Sequence, residues 1–251
     1  MSKKKIVTAC LVVALLATGL IGGSLAYFTD EDYAKNTMTT GNVNIEQNEK
    51  DKAGADFEQN QELFPMVDNR TDKDANPVVD GYFDPAMKNV IDKVVTVTNT
   101  GSKDAYVRTI LAFETATEYA AGTDNVLRDG KKIFDDYIGT LGDFELVDTD
   151  TITIDGVEYV LAVKTYADPL APEATSTPSL KQFFLSPEAN NEVVTLFGDD
   201  YTILALSQAV QTAGFAADPE SDADAVAALN EAFGNLETMP AEDIVAWFEA
   251  L

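Results

Sequence analysis

Histidine is absent from the chain, and the single cysteine, Cys10, lies in an apolar run near the N-terminus. Without an imidazole there is no Ser-His-Asp or Cys-His catalysis and no H-E-x-x-H zinc peptidase site. The sequence also lacks the G-x-x-x-x-G-K-[ST] and G-x-G-x-x-G loops that bind phosphates and dinucleotides. These absences predict a protein that is not an enzyme and has no catalytic cofactor.

Positively charged residues are scarce as well. The chain has 17 Lys and Arg residues and 43 Asp and Glu residues, which gives a net charge of −26. This negative charge repels nucleic acids and anionic membranes, so neither is expected as a partner. Acid pairs such as Asp135-Asp136 and Asp199-Asp200 could in principle serve a carboxylate-dependent hydrolase. With 43 acids such pairs arise by chance, so we interpret them as solvated surface and keep the hydrolase as a third alternative.

The N-terminal residues are arranged as in a secretory signal peptide. Three lysines at 3–5 precede the uncharged run 6–21, and two glycines end that run. Ser24 and Ala26 then supply the small side chains that a signal peptidase accepts. The pattern predicts cleavage before Tyr27 and a secreted protein that meets the membrane only before cleavage. The alternative is an uncleaved anchor, since roughly 20 apolar residues can cross a bilayer.

Removal of residues 1–26 would leave 14 cations against 43 acids, a net charge of −29, and no cysteine. The mature protein would then depend on its core alone, without disulfides. Its acidity favours cations as partners, and calcium is the one metal that we retain as a candidate. The candidate ligands lie in two acidic loops and are Asp68, Asp72, Asp74, Asp80, Asp218, Asp222 and Asp224. Neither loop has the spacing of a helix-loop-helix calcium site.

Alternating apolar residues predict a mainly β protein. The predicted strands lie at 41–46, 93–99, 105–113 and 201–208, with a hairpin at 151–163. Asp155-Gly156 is the turn of that hairpin, because both of its central residues need positive φ. The strand 105–113 is apolar on both faces, which is typical of a central, covered strand. Arg108 interrupts it and would need a carboxylate partner or an exit at a sheet edge.

Helical spacing predicts a short helix at 130–141 and two short amphipathic helices within 218–251. Residues 47–76 and 167–178 are predicted to be loops. The expected architecture is an antiparallel β-sandwich over residues 27–217, which begins with an extended segment at 27–40 and is followed by a C-terminal helical appendage.

Two stretches resemble the TasA/camelysin family of Gram-positive secreted proteins: IGGSLAYFTDEDYAKNTMTTGNVNI at 21–45 and VVTVTNTGSKDAYVRTILAF at 94–113. Residues 179–215 are similar to clostridial-type members with SipW-dependent signals. In the first stretch the matching residues are Gly22, Gly23, Ala26, Phe28, Asp30, Gly41 and Ile45. The resemblance implies a jelly-roll sandwich and cleavage by a SipW-type signal peptidase. It further implies assembly with copies of itself, and possible association with other matrix proteins, in biofilm-matrix fibres on the cell surface or in the extracellular matrix.

In such fibres the mature N-terminal segment inserts as a strand into a neighbouring subunit. The resemblance therefore implies a donor strand at 27–37, with Tyr27, Phe28 and Tyr33 as anchors. The three acids at 30–32 interrupt its alternation. Camelysins are also described as metallopeptidases, an activity that a chain without histidine is not expected to share. A monomeric secreted adhesin or ligand-binding β-domain is the alternative to a fibre subunit.

Overall fold

The computed structural model is mainly β, with antiparallel sheets and a few short helices. It describes residues 29–32, 43–58, 61–116, 119–121, 125–127, 130–197, 201–212 and 222–250. The predicted signal peptide, its cleavage residues Ser24, Ala26 and Tyr27, and the predicted anchors Phe28 and Tyr33 lie outside the described residues. None of the helices within these ranges combines the length and the apolar composition that a membrane crossing requires.

The strands and helices of the described residues are numbered along the chain. The strands are β1 (Thr29–Asp32), β2 (Ile45–Lys50), β3 (Val67–Asp68), β4 (Val78–Val79), β5 (Tyr82–Phe83), β6 (Met87–Lys88), β7 (Val90–Asn99), β8 (Ala105–Thr115), β9 (Tyr119–Ala121), β10 (Asn125–Leu127), β11 (Ile138–Gly142), β12 (Glu145–Leu146), β13 (Ile152–Ile154), β14 (Val157–Thr165), β15 (Leu180–Leu185) and β16 (Ile203–Gln211). The helices are α1 (Gly130–Tyr137), α2 (Asn191–Val194), α3 (Asp222–Phe233) and α4 (Ala241–Glu249), with a 3-10 turn at Thr195–Phe197.

Two antiparallel sheets form the body of the protein. The larger sheet has the order β1-β16-β8-β14-β12, with β13 also paired to β14, and the smaller sheet has the order β11-β15-β7-β2. Leu111 and Phe113 of the larger sheet share one buried apolar cluster with Val95, Leu180 and Phe183 of the smaller sheet. The two sheets therefore pack face to face, and removal of these side chains from water stabilises the pair.

The C-terminal helices cover the opposite face of the larger sheet. Ile244 and Phe248 of α4 pack in one cluster with Ile110 and Leu206, and α3 contributes Leu229 to a second cluster on the same sheet. Every residue of β8 is buried as a result. The prediction that this strand is central and covered on both sides is confirmed, and so are the two C-terminal helices.

The predicted hairpin is also confirmed. Asp155 and Gly156 have φ values of 51° and 84°, as a turn with two left-handed residues requires, and Ile152–Ile154 pairs with Val157–Tyr159.

The largest disagreements with the predicted boundaries lie in two places. The helix at 130–141 ends at Tyr137, and Ile138–Gly142 is instead strand β11, whose pairing with β15 shifts at Leu141/Gly142. The strand at 41–46 begins later and continues to Lys50, where the chain was predicted to be a loop. In both places a neighbouring strand supplies backbone partners, and these override the local pattern.

Candidate assembly edge and acidic loop

The N-terminal strand β1 forms one edge of the larger sheet. It pairs antiparallel with β16, with Thr29 opposite Val210 and Asp32 opposite Ser207. Its four residues fall inside the predicted donor segment and include the three acids that interrupt the alternation there. β1 also lies beside β2, the edge strand of the smaller sheet, and so sits where the two sheets meet.

Alternate residues of β16 present their backbone groups to β1. The amide of Glu114 donates to the carbonyl of Thr202, and the amide of Thr212 donates to the carbonyl of Asp104. Even-numbered residues of β16 therefore bond to β8, because an antiparallel ladder alternates. It follows that the odd-numbered residues, including Ser207 and Ala209, direct their N–H and C=O groups outward to β1.

Gln47 of β2 reaches across to the same edge. Its Nε2 donates to the carbonyl oxygen of Ala205 at 3.0 Å and to Glu49 Oε1 at 3.2 Å. Its Oε1 accepts a hydrogen bond from Ser207 Oγ at 2.7 Å. Since the Ser207 hydroxyl has one proton, the 3.1 Å contact with Thr109 Oγ1 has Thr109 as the donor. The Gln47 amide is thus fixed at both of its ends.

Positively charged side chains of the first acidic loop bind to groups of the same loop. Arg70 donates from Nε and Nη2 to the two carboxylate oxygens of Asp68 at 3.0 and 2.8 Å, and from Nη1 to the carbonyl of Ala75 at 2.7 Å. These hydrogen bonds from Arg70 lower the pKa of Asp68 to about 2. The ammonium of Lys73 donates to the carbonyl of Asp68. Asp68 is therefore held by positive groups of its own loop.

The other calcium candidates that the structure describes lie between β3 and β5 and in the first turn of α3. Asp72 accepts from the amide of Asp74 at 3.0 Å, and Asp80 has φ of 52° in the turn between β4 and β5. Asp222 and Asp224 lie at the start of α3, and Asp218 is outside the described residues. Over the described ranges, no group of three or more acidic, cysteine or histidine side chains is arranged to hold a metal.

Arg108 lies under the C-terminal helices with 2% of its surface exposed. Its Nε donates to Gln208 Oε1 at 2.8 Å, and its Nη1 donates to Asn230 Oδ1 at 3.0 Å. The rings of Phe233 and Trp247 lie 5.8 and 5.9 Å from its guanidinium carbon. Because β8 lies between β14 and β16, Arg108 does not leave at a sheet edge, and polar and aromatic groups of β16 and of the C-terminal helices surround its guanidinium.

A buried cluster of titratable groups lies at the far end of β8. Tyr201 donates from its hydroxyl to the carbonyl of Glu114 at 2.8 Å, and the Glu114 carboxylate accepts from the amide of Thr202 at 2.7 Å. Burial raises the pKa of Tyr201 well above its ordinary value, and the nearby Glu114 raises it further. Each of these contacts joins a side chain to a backbone group, which is the pattern of a structural cluster.

Two clefts flank the C-terminal helices. One, of about 490 Å³, is lined by Arg108, Lys164 and Asn230 among others, and the other, of about 860 Å³, is lined by Asp148, Asp150 and Glu158 among others. Neither is lined by Glu114 or Tyr201.

Comparison of the chain with models of protein families, with curated proteins and with solved structures finds no match.

Proposed function

We propose that this protein is a secreted structural subunit of extracellular biofilm-matrix fibres of a Gram-positive-type bacterium, and that it assembles by donation of its N-terminal strand. The observation that carries the proposal is the pairing of β1 with the outer edge of β16. Strand β1 occupies that edge, and it comes from the segment that the family resemblance assigns to donation. The jelly-roll form of the sandwich and export through a SipW-type peptidase belong to the same proposal.

Strand donation needs no contact beyond those that β1 already makes. A second copy can supply the same residues, Thr29–Asp32, to the same edge, so the ladder within one chain and the ladder between two chains are equivalent. Subunit concentration then decides between them, because the strand of the same chain competes as a tethered ligand. A donor at one end of each subunit and an acceptor edge in the next is a head-to-tail contact, which can continue into a filament.

The test is assembly of the exported protein with and without residues 27–37. We expect concentrated full-length exported protein to form filaments in electron micrographs and the deletion variant to remain a folded monomer. Addition of a synthetic 27–37 peptide to the variant should restore occupancy of the edge without polymerisation, since a free peptide cannot link two subunits. Filaments of the same form from the deletion variant would refute strand donation.

A monomeric ligand-binding β-domain remains the second candidate, and the cleft of about 490 Å³ beside Arg108, Lys164 and Asn230 favours it. Small-molecule sites are commonly clefts of 300–1,000 Å³ with a few polar groups. Exported protein that stays monomeric at all concentrations would move this candidate ahead of the fibre subunit.

A further inference from the structure

The cleft of about 490 Å³ beside the C-terminal helices is lined from two sides. Helix α3 and the turn after it contribute Val226, Asn230 and Asn235. Strands β12 and β14 and the residues just before β12 contribute the other side, which includes Phe144 and Lys164. The chemistry of these side chains indicates what kind of molecule the cleft can bind.

The two asparagines are held by their oxygens. Arg108 Nη1 donates to Asn230 Oδ1 at 3.0 Å, and the backbone amide of Glu237 donates to Asn235 Oδ1 at 3.0 Å. A carboxamide that accepts through its oxygen has two N–H groups left to donate. Within the described ranges neither Nδ2 has an acceptor, and buried side-chain atoms without a partner occur only at two other residues. Both nitrogens are therefore open to solvent.

Gly234 brings the two carboxamides together. With φ of 97° it turns the chain at the end of α3, and its amide donates to the carbonyl of Asn230 at 2.9 Å. Its own carbonyl accepts from Arg108 Nη1, the same nitrogen that binds Asn230, at 3.2 Å. Since Asn235 is the next residue, both sets of free N–H groups lie at the C-terminal end of α3.

The charged side chains of the cleft do not favour a charged ligand. Lys164 Nζ is bound to Asp143 Oδ2 at 2.6 Å, and the guanidinium of Arg108 is engaged by the groups described above. The remaining charged residues of the lining, Glu145 and Glu237, are exposed acids. Two cations and three carboxylates, in a chain with a net charge of −26, disfavour an anion. Over the described ranges the acids are not arranged to hold a metal ion either.

Apolar side chains complete the lining. Val226 is 43% exposed, and Phe144 and Leu146 lie on the strand side of the cleft. A ligand that matches these groups accepts hydrogen bonds from neutral amides, donates to carboxylates and presents an apolar face. A sugar ring combines all three, because its hydroxyls both donate and accept and its C–H groups are apolar. We propose that this cleft binds a neutral saccharide, a ligand class that the second candidate function leaves open and that a fibre subunit can bind equally well.

NMR of the side-chain amides of Asn230 and Asn235 measures binding at the cleft itself. The probes are cellobiose and maltose as neutral disaccharides, glucuronate as an anionic sugar and alanine as a zwitterion. A protein concentration at which the chain is monomeric keeps the result independent of filament formation. We expect at least one disaccharide to shift both amide resonances at millimolar concentration, and glucuronate and alanine to shift them less.

Two substitutions test the two kinds of contact. Asn235→Ala removes a donor and should weaken disaccharide binding by about fivefold, the change that one hydrogen bond provides. Asn76→Ala is its matched control, because Asn76 Oδ1 also accepts from the amide two residues later, at 3.0 Å, but in the loop before β4. Val226→Ser leaves the hydrogen bonds of the turn in place and should weaken binding by about threefold through lost apolar contact. Its control is Val79→Ser, because Val79 on β4 is 49% exposed.

The proposal is overturned if neither disaccharide shifts the two amide resonances, or if both cleft variants bind as tightly as their controls. Tighter binding of glucuronate or alanine would also overturn it, by assigning the cleft to a charged ligand. If Asn235→Ala does not fold, the comparison of Val226→Ser with Val79→Ser decides alone. Filaments without disaccharide binding would refute the saccharide site and leave fibre assembly intact, whereas disaccharide binding by a chain that never assembles would support the site and refute the fibre.

Discussion

The guanidinium of Arg108 donates from both Nη1 and Nη2 to the carbonyl oxygen of Gly234, at 3.2 Å each. Gly234 follows α3 directly and has φ of 97°, the left-handed conformation that ends a helix. A buried cation in the middle of β8 is thereby joined to the C-terminal end of α3, where the helix dipole is negative. The contact fastens the C-terminal helices to the sheet.

Arg108→Met should therefore loosen these helices. We expect a loss of about 2 kcal/mol in the free energy of unfolding, the usual contribution of hydrogen bonds from a charged group. Amide hydrogen exchange should rise in α3 and α4 more than in the smaller sheet. Arg70→Met is the matched control, since Arg70 is also held by several hydrogen bonds but lies in the loop after β3. Equal exchange in the helices of both variants would contradict the assignment.

Glu49 and Lys93 allow a second test. The side chain of Lys93 is 2% exposed, and its ammonium pairs with the Glu49 carboxylate and lies 4.2 Å from the centre of the Phe57 ring. Glu49→Gln leaves a buried cation with a neutral acceptor, so we expect it to lower the free energy of unfolding by about 2 kcal/mol. In the Lys93→Met background the same substitution should cost little. Urea unfolding of the four proteins measures this coupling, and an equal cost in both backgrounds would show that the pair does not interact.

The parts of the fold that could be predicted are those with a local cause. Asp155-Gly156 requires left-handed φ values whatever surrounds it, and the length of apolar sequence in β8 demands cover on two sides. Strand β15 was not predicted from alternation, because its pairing with β7 shifts between Leu180 and Gln182 and the burial pattern loses its period of two. Ile138 and Leu141 keep a helical spacing although they lie on a strand.

The sequence points to one side of the candidate edge only. The family resemblance implies a donor strand at 27–37, and β1 lies within that segment. The sequence does not identify the acceptor strand, because the order of the strands in the folded sheet determines which one accepts the donor. Gln47 carries no local signal, since a glutamine in a charged strand is ordinary, and its contacts with Ala205 and Ser207 lie more than 150 residues away.

Asp68 gives a pH-dependent prediction. Hydrogen bonds from Arg70 lower its pKa from 3.8 to about 2, so the ionised form is favoured in the folded protein. The resulting stabilisation is complete above the unfolded pKa near 3.8 and is lost as the pH falls towards 2. At pH 3, NMR of the carboxyl carbon should find Asp68 mostly ionised in the unaltered protein and mostly protonated in Arg70→Gln. The same protonation state in both proteins would contradict the role of Arg70.

Salt and acid should promote filaments if the protein assembles as proposed. Subunits with a net charge near −29 repel one another at neutral pH, and the screening length falls from about 30 Å at 0.01 M salt to about 8 Å at 0.15 M. Acidification towards pH 4 protonates ordinary carboxylates and weakens the same repulsion. Light scattering and electron microscopy should find more filaments as the salt concentration rises and as the pH falls.

The acids of β1 allow the local part of this repulsion to be separated from the global part. Asp30→Asn, Glu31→Gln and Asp32→Asn together remove three charges from the strand itself, whereas Asp72→Asn, Asp74→Asn and Asp80→Asn remove three from a distant loop. Charged edge strands oppose intermolecular pairing, so we expect the β1 triple variant to form filaments at lower salt than the loop variant. If both variants assemble at the same salt concentration, the charge of the whole subunit controls assembly, and the acids of β1 have no special part in it.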